Sequence, residues 1–362
     1  MKLIISSLTA LLFTGAFLSA QMPGMVTMQQ ASASQGTSLG ANTTSGAAGI
    51  ALGNRVVMRG FVDFQFKYDD EDSSSTPGSG SQTEAFNTKA DIDFLFDFSP
   101  VTGEVHIALD KADIELEQAF ARYSLNRDFN FSFGRQLTAL GYESDEQPGL
   151  QSVSNAYWLA DKLAPHAQLA SANSGPLQTR RNYKDGVRAN FNNGKFGVSL
   201  GLHDGYWKND DFNGDNIAID IAASLMIIPG LEARLGYAQE QFDDQAGASD
   251  AISQLNGWIA YQPGDLTLAF EFDNMDILSD EYWSMMFHAN YQFVNWMSAT
   301  FRYSHEDYEA MSVSNEADRF SFALLFSLTE NFGLNFEYST TSVDSLNVGD
   351  YDEFYVEGLL TF

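Results

Sequence analysis

From Val56 onward the chain alternates apolar and polar residues in stretch after stretch, and it closes on such a stretch, Phe354, Val356, Gly358, Leu360 and Phe362. A period of two puts neighbouring side chains on opposite faces of a strand, so each stretch makes a ribbon with one apolar and one polar face. In the first, Val62, Phe64, Phe66 and Tyr68 share a face, and Phe61, Asp63, Gln65 and Lys67 share the other. Ala90, Ile92, Phe94, Phe96 and Phe98 then oppose Asp91, Asp93 and Asp97, and Val105, Ile107 and Leu109 oppose Glu104, His106 and Asp110. Many stretches have the roughly 9 to 11 residues with which a tilted strand crosses a bilayer. Beyond the N-terminus no run reaches the roughly 18 apolar residues of a spanning helix; Leu225 to Ile228, the longest nearby, stops at Pro229. Hydrocarbon offers no water to unpaired backbone groups, which leaves a closed barrel as the way for such a chain to span a membrane.

The N-terminus agrees with export. Lys2, the apolar stretch Leu3 to Leu18 and the small-residue site Leu18-Ser19-Ala20 before Gln21 read as a signal peptide over residues 1–20. Residues 21–54 are rich in Met, Gln, Ser, Gly, Ala and Thr without apolar periodicity, and read as a flexible periplasmic lead-in to a barrel over 55–362. The mean hydropathy of −0.20, despite 29 Phe and 15 Tyr, fits apolar residues that alternate with polar ones. No cysteine is present, which excludes disulfides and thiolate metal sites. A formal charge of −29 disfavours nucleic acid and acidic lipid surfaces as partners.

Further apolar stripes fall at 119–125, 129–133, 187–191, 196–202, 217–225, 231–237, 255–261, 266–272, 283–293, 297–303, 320–326 and 332–338. The fold class is therefore an all-β, transmembrane, antiparallel up-and-down barrel of 16 strands, with 14 or 18 left open. Tight links at Ser99-Pro100-Val101-Thr102, Asn126-Arg127-Asp128, Asn192-Asn193-Gly194, Ile228-Pro229-Gly230, Gln262-Pro263-Gly264-Asp265, Val294-Asn295 and Thr329-Glu330-Asn331 alternate with longer connections. Short periplasmic turns and long outward loops are the barrel pattern. A soluble sandwich or solenoid would also alternate, but has no use for so many bulky aromatics on its outer face. Tyr123, Tyr237, Tyr261, Tyr291, Trp296, Tyr303 and Tyr338, near strand ends, would sit at headgroup level against outer-membrane lipid.

Leu116-Glu117-Gln118-Ala119-Phe120-Ala121-Arg122-Tyr123, Phe133-Gly134-Arg135-Gln136 and Leu140-Gly141-Tyr142-Glu143 resemble the OmpL-like β-barrel porins, as do Asn155-Ala156-Tyr157 and His203-Asp204-Gly205-Tyr206-Trp207. The resemblance covers residues 116 to 210. It implies a passive diffusion channel for small polar solutes, inserted by the barrel assembly machinery through its terminal aromatic residue. Five residues before that terminal aromatic, where the assembly signal usually has Gly, stands Glu357, with Gly358 beside it. Homotrimer and monomer both stay open.

The longest connection, 135–183, is the third outward loop, and by analogy with general porins it folds inward and narrows the pore. Its acids Glu143, Asp145, Glu146 and Asp161, its bases Arg180 and Arg181, and the wall candidates Arg122, Arg188, Arg234, Arg302 and Arg319 would set a transverse field across the channel. The plainer alternative pairs each arginine with a neighbouring acid such as Glu104, Glu232, Glu271 or Glu337. Parity places more acids than bases on the inner face, which predicts cation preference. Acidic outward loops suggest Ca²⁺ or Mg²⁺ bridging to lipopolysaccharide, and Asp211, Asn213 and Asp215 have the spacing that opens a calcium loop, although Asn216 and Ala222 stand where its Gly and Glu belong. No other cofactor is expected. Two rival classes remain: a closed barrel acting as an adhesin or structural element, and a hydrolase, for which His288 on an inward stripe is the best-placed base. Trp158 and Trp207 fall in or beside outward loops, where surface packing is the expected role.

Overall fold

In the computed structural model the described residues are 49–72, 81–111, 114–143, 147–157, 183–207, 217–243, 249–277, 280–310, 313–344 and 349–362. A two-residue strand, β1 (Ile50–Ala51), precedes the wall. The wall is built of β2 (Val56–Glu71), β3 (Ser81–Phe98), β4 (Val101–Leu109), β5 (Ile114–Ser124), β6 (Phe129–Leu137), β7 (Tyr183–Asn192), β8 (Phe196–His203) and β9 (Ile217–Ile228). It continues with β10 (Leu231–Asp243), β11 (Ser249–Tyr261), β12 (Leu266–Ile277), β13 (Asp280–Val294), β14 (Met297–Ala310), β15 (Val313–Ser327), β16 (Phe332–Asp344) and β17 (Tyr351–Thr361). Each strand pairs antiparallel with the next, and β17 pairs with β2 from Tyr351↔Glu71 to Thr361↔Phe61, so the sixteen strands close into a barrel. Every strand of the wall thereby has a neighbour on both sides.

Each of the sixteen predicted stripes lies on a strand of this wall, with the face the alternation assigned. Phe133, Leu235 and Phe322 are at least half exposed on the outside, while Asp220, Glu271, Asp273 and Glu337 are at most 1% exposed on the inside. An outer surface this rich in exposed Phe, Leu and Ile suits hydrocarbon and not water.

Strand ends depart from expectation. β3 has 18 residues and β15 has 15, and both begin well before their apolar stripes. Past the apolar band the backbone ladder continues with polar residues on both faces, as in Ser81–Thr83 against Asp69–Glu71. Periodicity in hydrophobicity marks the bilayer, not the length of the strand. Several connections at that end are correspondingly short, with only residues 278 and 279 between β12 and β13.

The closing seam explains the terminal aromatic. Gly60 N–H donates to Phe362 O and Phe362 N–H donates to Gly60 O, both at 3.0 Å. A β-carbon at Gly60 would stand 2.7 Å from the Phe362 ring and 2.3 Å from Asp91 O, so only glycine allows the ring to lie there.

Candidate functional site

After β6 the chain turns into the lumen, and the described residues 138–143 and 147–157 run along the inner wall. The path is laid down by backbone hydrogen bonds to inward side chains of successive strands. Ala139 N–H donates to Asp220 on β9 at 3.1 Å, Gly141 N–H to Asn256 on β11 at 3.1 Å, and Tyr142 N–H to Glu271 on β12 at 2.6 Å. Val153 N–H and Ser154 N–H reach Glu337 on β16 at 2.6 and 3.2 Å. The carbonyls are met by donors: Leu137 O by Arg188 at 2.7 Å, Ala139 O by Arg234, Gln151 O by Thr300, and Ala156 O by Ser304. An aperiodic segment buried inside a barrel needs such partners for every amide it hides.

Apolar contacts back this ladder. Ala139 and Leu140 pack with Tyr206 and Trp207 against the inward residues Ala218, Ala222, Ala238, Ile252, Met275, Ile277, Tyr282 and Tyr308. Tyr142, Ala156 and Tyr157 pack with Trp258, Ala260, Ala269 and Met286. Part of the lumen therefore holds a hydrophobic core of the kind found in a soluble protein. Trp207, expected at the surface, is 4% exposed and belongs to this core, and Tyr206 N–H donates to Glu240 at 3.1 Å. The signal for it was present in the sequence: Ile252, Trp258, Met275 and Met286 are apolar at inward parity, where a water-filled lumen would ask for polar residues.

All five wall arginines face inward and are buried. Arg302 on β14 carries the most partners: it pairs with Glu143 of the inserted segment, donates to Ser152 Oγ at 2.8 Å and Ser154 Oγ at 3.1 Å, and lies 3.9 Å from Glu337. Arg319 pairs with Glu353 and donates to Ser154 Oγ at 3.0 Å. Arg188 pairs with Asp220 at 2.9 Å, and Arg122 lies 3.4 Å from Glu104. Arg234 donates to a loop carbonyl. Glu143 and Arg302 are thus in contact rather than facing each other across an opening, and the arginines act largely as clamps on the inserted segment and on neighbouring acids. Asp145, Glu146, Asp161, Arg180, Arg181, the calcium candidates Asp211, Asn213 and Asp215, residues 1–48, and Trp158 lie outside the described residues.

His288 is buried on β13 with Nε2 2.9 Å from Gln151 Oε1 of the inserted segment. Below Gln151, toward the short-turn end, a cavity of about 330 Å³ is lined by Asn290, Asn335, Ser298, Thr361 and other largely polar residues.

A closed sixteen-stranded antiparallel barrel with a segment folded into its lumen is the outer-membrane porin fold. Solved structures of that class superpose on it. An anion-selective porin from Comamonas acidovorans matches at TM-score 0.62 and 13% identity, over 85% of this chain and 99% of that one. The outer membrane channel DcaP of Acinetobacter baumannii matches at 0.60 and 12%, over 87% and 100%. OmpT of Vibrio cholerae in its trimer form matches at 0.57 and 12%, over 85% and 100%. No protein-family model and no curated protein matches the chain. The likeness supports a general porin-like barrel, the coarser part of the resemblance drawn from residues 116 to 210.

Proposed function

We propose that this chain is an outer-membrane porin through which small polar solutes and ions diffuse passively, with preference for cations. The observation that carries the preference is the imbalance of buried, inward-facing charge. Asp63, Asp91, Asp93, Glu104, Asp220, Glu232, Glu240, Glu271, Asp273, Glu337, Glu353 and Glu357 outnumber Arg59, Arg122, Arg188, Arg234, Arg302 and Arg319. Among the described residues the buried inward acids therefore outnumber the arginines, four of which already lie within salt-bridge distance of a carboxylate. An acidic lining attracts cations and repels anions. Sharing a fold with an anion-selective porin does not decide the sign, because selectivity lives in the lining residues and not in the barrel.

Reversal potential across a planar bilayer under a potassium chloride gradient tests this, with the refolded barrel as the only protein. Cation-preferring, stepwise openings are expected. Anion preference would overturn the selectivity, and silence from protein verified as folded would overturn the channel and favour a closed structural or adhesive barrel. The same reading extends to a homotrimer, for which the trimer form of a like-folded barrel is the support. It extends also to Ca²⁺ or Mg²⁺ held between lipopolysaccharide and outward acids such as Asp69 to Asp72; a chelator that leaves thermal stability in lipopolysaccharide unchanged would remove that element.

A further inference from the structure

We propose that Asp91, Asp93 and His106 form a binding site for a divalent transition-metal cation in the barrel wall, on the lumen side of β3 and β4. One ligand atom from each lies within 4.8 Å of the others, and the three side chains are 2%, 1% and 0% exposed. The register accounts for the grouping. Asp93 stands opposite His106 on one side and Arg59 on the other, while Asp91 is flanked by Phe61 and Ala108, which offer it nothing polar. Neither carboxylate oxygen of Asp91 accepts from a backbone amide, a neutral side-chain donor or a cationic group. The Asp93 carboxyl lies within hydrogen-bonding reach of it, and Asp93 and Glu117 bear on it as like charges. A carboxylate hidden from water without donor or cation is an expensive arrangement, and a bound cation removes the expense.

Each ring nitrogen of His106 has a carboxylate beside it, Asp93 at Nδ1 and Glu104 at Nε2. Gln118 Oε1 accepts from Leu137 N–H at 3.2 Å, so the other end of that amide, Nε2, is the atom 3.4 Å from His106 Nδ1. The shorter contact of Nδ1 is with Asp93 Oδ1 at 2.8 Å, and there the ring N–H donates to the carboxylate. The opposite nitrogen, Nε2, lies 3.2 Å from Glu104 Oε2 and donates to it. A carboxylate holding the far side of an imidazole is the usual support of a metal-ligating histidine. On the near side, a cation that takes the place of the Nδ1 proton would find Nδ1 and Asp93 Oδ1 2.8 Å apart. That is close to the separation, about 3 Å, of adjacent ligands around a cation with bonds of about 2.1 Å.

Two further features favour a doubly charged occupant. In this part of the wall the carboxyl groups of Asp91, Asp93, Glu104 and Glu117 outnumber the guanidinium groups of Arg59 and Arg122. The strand pairing also contains a bulge: His106 pairs with Gln118 but Ile107 pairs with Leu116, so Glu117 is the extra residue and is buried together with Gln118. Bulges re-aim side chains, and this one brings another carboxylate toward Asp91. A mixed set of imidazole nitrogen and carboxylate oxygen suits Mn²⁺, Fe²⁺, Co²⁺, Ni²⁺ or Zn²⁺, whereas Ca²⁺ and Mg²⁺ take oxygen shells.

The test is equilibrium binding, independent of conduction. The refolded barrel in detergent, verified by heat-modifiable gel mobility and freed of metal by a chelator, is titrated with Co²⁺ while its visible absorption is followed. One saturable equivalent per chain is expected, with Co²⁺ displaced by Zn²⁺ and not by Ca²⁺ at the same concentration. Asp91→Asn and His106→Gln should each weaken binding by about tenfold or more. If His106→Gln does not fold, Asp91→Asn decides, since it leaves the bonds of His106 in place. Absence of saturable binding by the folded protein, binding unchanged in the folded variants, or displacement by Ca²⁺ as readily as by Zn²⁺ would each overturn the site.

Discussion

Two stretches of the same lumen wall treat their carboxylates in opposite ways. Along β9 to β16, Asp220, Glu271 and Glu337 accept backbone amides of the inserted segment, and Asp220 and Glu337 also have an arginine within 4 Å. Along β2 to β4, Asp91 is equally buried and faces another carboxyl, that of Asp93, which has His106 at 2.8 Å. Burial is the same in both stretches and satisfaction is not. Where the chain supplies the donors itself, acids hold structure. Where it withholds them, the acids are available to something that is not part of the chain. Substitutions in the two stretches should therefore differ in sign as well as in size.

The largest effect is expected at Arg302. Replacing it with Ala leaves Glu143 and Glu337 buried without their cation, which costs about 3–5 kcal/mol when a buried pair is broken from one side. Denaturant unfolding of the refolded barrel measures the loss. Because Arg302 also holds Ser152 and Ser154, the inserted segment should loosen and the single-channel conductance should rise. A variant with unchanged stability and conductance would mean that the segment is held by its apolar contacts alone.

Asp220→Asn comes next. The amide can still accept from Ala139 N–H, but the charge that holds Arg188 at 2.9 Å and His203 at 3.3 Å is gone. Charge-assisted hydrogen bonds of this kind contribute about 1.5–3 kcal/mol, and a loss in that range is expected in the same unfolding measurement. Ser154→Ala should cost less, about 1 kcal/mol. It removes one hydroxyl that accepts from Arg302 and Arg319 and donates to Glu337, but leaves the Val153 and Ser154 amides on Glu337. A loss at Ser154 as large as at Arg302 would show that the hydroxyl, and not the guanidinium, organises the clamp.

The unevenness of these effects follows the unevenness of what the sequence reveals. Strand identity and facing could be read directly, because a period of two survives wherever one face meets hydrocarbon; Phe354 to Phe362 and Ala90 to Phe98 are examples. Strand ends could not, since β3 and β15 continue past the bilayer where neither face is apolar. The inserted segment was legible only as a long interruption between β6 and β7. Its hydrogen bonds join residues as distant as Val153 and Glu337, and no local pattern records such a pairing. The core it builds left a readable trace in Trp258, Met275 and Met286 at inward positions. The Asp91, Asp93 and His106 grouping is intermediate. Alternation put all three on the inner face, but their convergence needs the register of β3 against β4, and the inward turn of Glu117 needs a bulge visible only in the pairing of β4 with β5.

The smallest effect, and the sharpest test of the comparison, is Asp91→Asn in metal-free protein. The change removes one of two facing like charges and introduces an NH₂ that can donate to Asp93, so stability should be unchanged or higher by up to about 1 kcal/mol. At Arg302, Asp220 and Ser154 every substitution lowers stability; here the sign is reversed. Added Zn²⁺ should then separate the two proteins in the other direction. A cation that binds only the folded state stabilises it in proportion to the logarithm of its concentration above the dissociation constant, by about 2.7 kcal/mol at a hundredfold excess. Wild type should gain that increment and Asp91→Asn should gain little of it, so the order of stabilities inverts as Zn²⁺ is added. If Asp91→Asn instead lost 2 kcal/mol or more without metal, Asp91 would be held by the fold in the same manner as Asp220, and the two stretches of wall would be alike after all.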